Sequence, residues 1–111
     1  MPTEMVLLCD VEPTAELVAS AVERLAPGAA LLDVDDGRVL QWVDEHGDVV
    51  LSLFAAQRIE VRMDADRAVA GGTGDYCWWA DMTTPYGDAT EGWAMAYAVA
   101  ETVGGRAAPR V

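Results

Sequence analysis

The stretch Ala30-Leu31-Leu32-Asp33-Val34-Asp35-Asp36-Gly37-Arg38-Val39-Leu40-Gln41-Trp42-Val43-Asp44-Glu45-His46-Gly47-Asp48-Val49-Val50-Leu51-Ser52-Leu53-Phe54 decides the fold. Three apolar runs are separated by two turn signals, Asp36-Gly37 and His46-Gly47, so the reading is two successive β-hairpins. Counting back from Asp36-Gly37 pairs Val34 with Val39 and Leu31 with Trp42. Counting from His46-Gly47 pairs Trp42 with Leu51 and Leu40 with Leu53. Side chains alternate along a strand, so Leu31, Leu40, Trp42, Val49, Leu51 and Leu53 share one face, the expected core. The other face carries Leu32, Val34, Val39, Gln41, Val43, Val50, Ser52 and Phe54. It is too apolar for an ordinary solvated surface.

Outward from the hairpins, Met5 to Val11 is a nearly continuous apolar run, as expected of a central strand or one buried on both faces. Pro13, at a first helical position, opens a helix over about 13–26 with Leu17, Val18, Ala21, Val22 and Leu25 as its stripe; Pro27-Gly28 ends it. Residues 58–63 alternate, Ile59, Val61 and Met63 inward against Arg58, Glu60 and Arg62 outward, and predict another strand. Residues 64–74 read as a flexible loop. A strand over 75–82 puts Tyr76, Trp78, Ala80 and Met82 on one side and Asp75, Cys77, Trp79 and Asp81 on the other. After a turn around Pro85, Asp88 and Glu91 form a capping box for a helix to about 103 that buries Trp93, Ala96, Tyr97, Ala100 and Val103. Gly104-Gly105 stops it, and 106–111 is a tail. The expected architecture is a single α+β domain, order β-α-β-β-β-β-β-α: a mainly antiparallel sheet of five to six strands with two helices on one face.

Composition narrows the chemistry. The chain has 111 residues, 19 acidic against 7 basic ones, and a net charge of −12. All seven basic residues are arginine, which excludes lysine-dependent chemistry. The charge opposes nucleic acid and anionic membranes as ligands and favours a basic protein partner. A salt-rich habitat would account for the acidity equally well, and a GC-rich genome for the missing lysine. Cys9 and Cys77 lack metal or redox spacing and are expected to be buried free thiols. The N-terminus has no basic leader region, so a cytoplasmic protein is expected.

Few motifs carry chemistry. Asp33 to Gly37 does not fit a calcium loop, which needs a glutamate at position twelve. Gly71-Gly72-Thr73-Gly74 lies between strands rather than opening a helix, so it is no phosphate cradle. His46 sits on a turn with no nucleophile near it. Cys77 is surrounded by carboxylates, which oppose thiolate formation. No cofactor or metal is expected. Trp79 stands apart, because it shares a strand face with Asp75 and Asp81. An aromatic flanked by acids fits an anchor for a basic partner, with Asp44, Glu45 and Asp48 steering from a turn. The competing reading packs Trp79 against an internal segment.

The helix from Thr14 to Ala26, the turns at Asp35-Asp36-Gly37-Arg38 and Glu45-His46-Gly47-Asp48, the strand Tyr76-Cys77-Trp78-Trp79 and the final helix running into Gly104-Gly105-Arg106-Ala107-Ala108-Pro109 together resemble the small α+β immunity proteins of bacterial polymorphic toxin systems, common in actinobacteria. The resemblance implies a non-enzymatic inhibitor that covers the active site of a basic toxin, often a nuclease or deaminase. Two other classes stand beside it. One is a homodimeric chaperone or adaptor using Val39, Val43, Val50 and Phe54. The other is a small enzyme built on clustered carboxylates.

Overall fold

In the computed structural model, which describes residues 3–25, 28, 30–36, 38–84 and 90–110, the elements run β1 (Thr3–Cys9), α1 (Ala15–Leu25), β2 (Ala30–Val34), β3 (Val39–Val43), β4 (Val49–Phe54), β5 (Gln57–Arg58), α2 (Arg62–Ala68), β6 (Trp78–Thr84), α3 (Thr90–Thr102) and β7 (Arg106–Pro109). Every strand pairing is antiparallel. The strand order is β2-β3-β4-β6-β1-β7, with β5 pairing β6 beyond the end of β4. Pro27, Gly37, the turn around Pro85 and the Asp88 cap lie outside the described residues.

The hairpins adopt the expected register. Val34 faces Val39, Leu31 faces Trp42, Trp42 faces Leu51 and Leu40 faces Leu53. In the first turn Arg38 N donates to Asp35 O at 3.2 Å, and Asp35 and Asp36 both take the left-handed setting, φ 60° and 53°. The second turn differs. Asp44 N donates to Asp48 O at 2.9 Å, so three residues form the loop, with Gly47 at φ 84°. The extra residue is absorbed by a bulge between Trp42 and Val43, which sets Val43 against Val49 and restores the register at Leu51. Val49 is accordingly half-buried rather than a core member.

β1 lies between β6 and β7, and Met5, Val6, Leu7, Leu8 and Cys9 are all fully buried. One face of the sheet packs Met5, Leu7, Trp42, Leu51 and Met82 against Val18 and Val22 of α1 and Ala96, Val99 and Ala100 of α3. Thr14, not Pro13, starts α1: its Oγ1 accepts from Leu17 N at 3.3 Å, the bond of an N-cap, and the buried Pro13 precedes it. Along α3, Ala96 and Ala100 are buried as expected. Tyr97 is exposed instead and stacks on Trp93 with ring centroids 5.5 Å apart. Gly92 lies where a Cβ would collide with the Thr84 side chain, so α3 reaches the sheet through a residue that must lack one.

Three expectations fail beyond residue 56. The strand over 58–63 is only two residues long; the chain leaves the sheet at Ile59 and forms α2, with Val61 and Met63 exposed to solvent. Residues 64–74 are not a free loop, because α2 occupies the first part and a pinned turn the rest. Arg62 Nη1 donates to Thr73 Oγ1 (3.0 Å), Gly74 O (3.0 Å) and Tyr76 O (2.6 Å). Arg106 donates to Ala70 O and Gly72 O from the other side. Asp66 Oδ1 accepts from both Thr73 N and Thr73 Oγ1. Residues 106–109 are a strand rather than a tail, pairing Leu8 with Arg106 through Met5 with Pro109. Among the described residues three helices rather than two therefore surround the sheet, and they do not share one face.

A candidate binding face on the second side of the sheet

The second side of the sheet divides into a covered half and an open half. Over β1, β6 and β7, the chain between Ile59 and Tyr76 lies on a small cluster of Val6, Leu8, Val69 and Ala108, with Ile59, Tyr76 and Trp79 at its rim. Over β2, β3 and β4 no described segment crosses. There Leu32 is 48% exposed, Val34 41% and Phe54 39%, and Val39 and Val43 are half-buried. The pairing aligns Val34, Val39 and Phe54 in one row across the strands. The next row is polar at its centre, where Gln41 Nε2 donates to Ser52 Oγ at 3.3 Å. Val50 is buried and adds nothing to this surface.

Asp81 marks the boundary between the halves. Its Oδ1 accepts from Trp79 Nε1 at 3.0 Å and from Arg110 Nη1 at 2.7 Å, while the Arg110 guanidinium sits 5.7 Å from the centre of the Trp79 ring. This triad is stacked and hydrogen-bonded at once, and about two-fifths of the Asp81 and Arg110 side chains remains in water. Two shallow clefts of about 230 and 290 Å³ open on either side of it. Phe54, Glu4 and Thr83 line one; α2 and Ile59 line the other.

The six residues singled out from sequence do not form one patch. Trp79 and Asp81 are joined, but the indole packs into the covered half instead of standing on an open face. Asp75 lies in the turn before β6, not on the strand beside them. Asp44, Glu45 and Asp48 sit at the β3–β4 turn, six residues of strand away from the position facing Asp81, or about 20 Å. Asp44 Oδ1 is occupied in building that turn, accepting from His46 N at 2.8 Å and Asp48 N at 3.0 Å. Glu45 and Asp48 are exposed. Sequence reasoning missed Arg62, Arg106 and Arg110, whose place in the fold depends on chain crossings that no local pattern encodes.

Charge follows the same division. Residues 30–54 carry six acids and a single arginine, whereas residues 57–77 carry four acids and three arginines, with Arg106 and Arg110 beside them. The open half is strongly acidic and the covered half close to balance. Among the described residues no group of three or more His, Cys, Asp and Glu could hold a metal ion, and no helix is long and apolar enough to cross a membrane. Burial, and then the neighbouring Asp10 carboxylate, push the Cys9 thiol up to about 11. Cys77 is half-exposed, and both thiols are free.

No protein-family model matches the chain, and comparison with curated protein sequences returns no match.

Proposed function

We propose that the chain is an acidic, non-enzymatic binding protein for a basic protein partner, of the kind an immunity protein forms with a nuclease- or deaminase-like toxin. The observation that carries this reading is the coincidence of charge with exposure: the half of the second sheet face left open is built from residues 30–54, which carry six carboxylates to one guanidinium, five of those carboxylates in the turns at the ends of its strands. Such a field speeds encounter with a cation and repels anions, while the exposed apolar rows supply the contact area that holds the complex. Glu45 and Asp48 steer from the β3–β4 turn, and the Trp79–Asp81–Arg110 triad borders the contact. Trp79→Ala with Asp81→Asn then weakens partner binding.

The exposed Phe54, Leu32 and Val34 also support a second reading, a homodimeric adaptor that buries this face against its own copy. Salt separates the two readings. Affinity capture on the immobilised chain from its source organism, washed at low and at high salt, retains a basic protein that high salt releases if the first reading holds. Sedimentation of the chain alone then shows a monomer at both salts. A dimer that tightens as salt rises, with nothing basic retained, refutes it in favour of the second.

A further inference from the structure

Resting on that reading, we propose that the basic partner docks by adding an extended strand to the outer edge of β2. The two edges of the sheet are treated differently. At β7, Ala70 N donates to Pro109 O at 3.0 Å, Val69 bridges Arg110, and Arg106 binds the carbonyls of Ala70 and Gly72, so the 69–72 turn closes that edge. Pro109 also lacks an amide to offer. At β2 no described strand pairs the outer backbone. Ala30-Leu31-Leu32-Asp33-Val34 contains no proline and no lysine, and the bulge of the hairpin falls between β3 and β4 instead. The one charge in the strand is Asp33, whose sign repels an acidic strand and not a basic one, and an edge otherwise left unblunted is a template for another strand.

Charge selects which strand. A second copy, itself of net charge −12, would set like charge against this edge, and Asp35 and Asp36 extend the acidity past the end of β2. A basic strand meets the opposite field. Added beside β2, its alternate apolar side chains continue the rows that start at Leu32 and Val34, and its arginines or lysines reach the Asp35-Asp36 turn. Main-chain hydrogen bonds supply affinity and the alternating side chains supply selection, as in other strand-addition complexes. Acidity on an open edge thus excludes self-pairing while admitting a cationic partner.

The test titrates the full chain, isotope-labelled for amide NMR, with a nine-residue peptide of alternating arginine and valine. Two further versions are N-methylated at alternate residues, one in each frame, and a fourth peptide has glycine in place of valine at equal charge. The proposal expects shifts centred on residues 30–34 and affinity that falls severalfold between 50 and 300 mM salt. One N-methylated frame should bind about tenfold more weakly and the other within about twofold of the parent. Leu32→Asn, at an exposed position and with no change of charge, should weaken the parent peptide without unfolding the chain. If both methylated frames bind like the parent, or the shifts lie away from β2, strand addition is wrong while salt-sensitive binding still upholds the basic-partner reading. If no basic peptide binds, strand addition falls, and the basic-partner reading stands or falls on the salt-dependent capture. Amide shifts along β2 that grow with protein concentration in the absence of peptide give the edge to a second copy and overturn the proposal.

Discussion

Arg62→Ala should cost this protein more than an exposed helix substitution normally does. Helix α2 buries no side chain of its own, with Val61 before it and Met63 within it exposed, so between the apolar anchors Ile59 and Val69 the cover over Val6 and Leu8 is held by polar contacts. From one nitrogen Arg62 ties the start of α2 to Thr73, Gly74 and Tyr76. A buried bond from a charged donor is worth about 1.5–3 kcal/mol, but the Gly74 and Tyr76 carbonyls lie at exposed sites where water replaces the guanidinium. Each of those two then contributes roughly 0.5 kcal/mol and the bond to the buried Thr73 hydroxyl about 1 kcal/mol. Alanine's better helix propensity returns about 0.2 kcal/mol. The expected loss is about 2 kcal/mol, or roughly 8 °C in melting temperature for a domain this size. Urea unfolding should show a lower midpoint at unchanged slope, and amide exchange should quicken over 69–77 first. Arg67→Ala is the internal control. It lies on the same helix and its guanidinium meets the Met63 thioether at 3.8 Å, so its effect should stay within about 0.5 kcal/mol. Equal effects of the two substitutions would refute the claim that polar clamps hold the cover.

The cysteines provide a second check: iodoacetamide at pH 8 should label Cys77, with Cys9 reacting only after denaturation, because its thiol is held near 11. Parallel labelling of both would contradict the burial of β1. Acid supplies a third. The bonds from the Thr73 hydroxyl and amide, followed by the nearby Arg62 charge, hold the Asp66 carboxyl below its ordinary value of 3.8. A depressed carboxyl stabilises the fold above its unfolded pKa and loses that contribution as pH falls through the folded one. Asp66→Asn should therefore lower the urea midpoint at neutral pH and converge with the parent protein well below pH 4. A gap constant from pH 2 to 7 would show that charge on Asp66 plays no part.

Where local chemistry and tertiary packing agree, the fold is legible from sequence. The hairpin registers follow from two turns and a period of two, and β1 follows from an unbroken apolar run. Even the misjudged length of the second turn is harmless, since the bulge at Trp42 and Val43 cancels it. Residues 57–77 fail for the opposite reason. The alternation of Ile59, Val61 and Met63 is real, but only Ile59 finds a buried partner, and arginine bonds to distant carbonyls fix the rest. β7 is equally illegible: Arg-Ala-Ala-Pro has poor strand propensity and pairs because Gly105 approaches the Leu8 carbonyl closely enough to set the chain beside β1. Of the candidate site, the acidity at the turns and the apolar second face of the hairpins are visible in advance. Which half of that face stays open is not, because its cover comes from a segment whose own pattern reads as a strand.

The position of β1 also constrains how the molecule is made. The hairpins of β2, β3 and β4 need only neighbouring residues, so they can assemble while synthesis is still under way. β1 leaves the ribosome before them, yet its two neighbours in the sheet are β6 and β7, the last strands in the order. Until residues 106–109 emerge, five consecutive apolar residues, Met5 to Cys9, await a partner along one side. The nascent chain therefore carries this apolar segment unpaired along that side until β7 has been made, and that interval is when a chaperone has most to offer it.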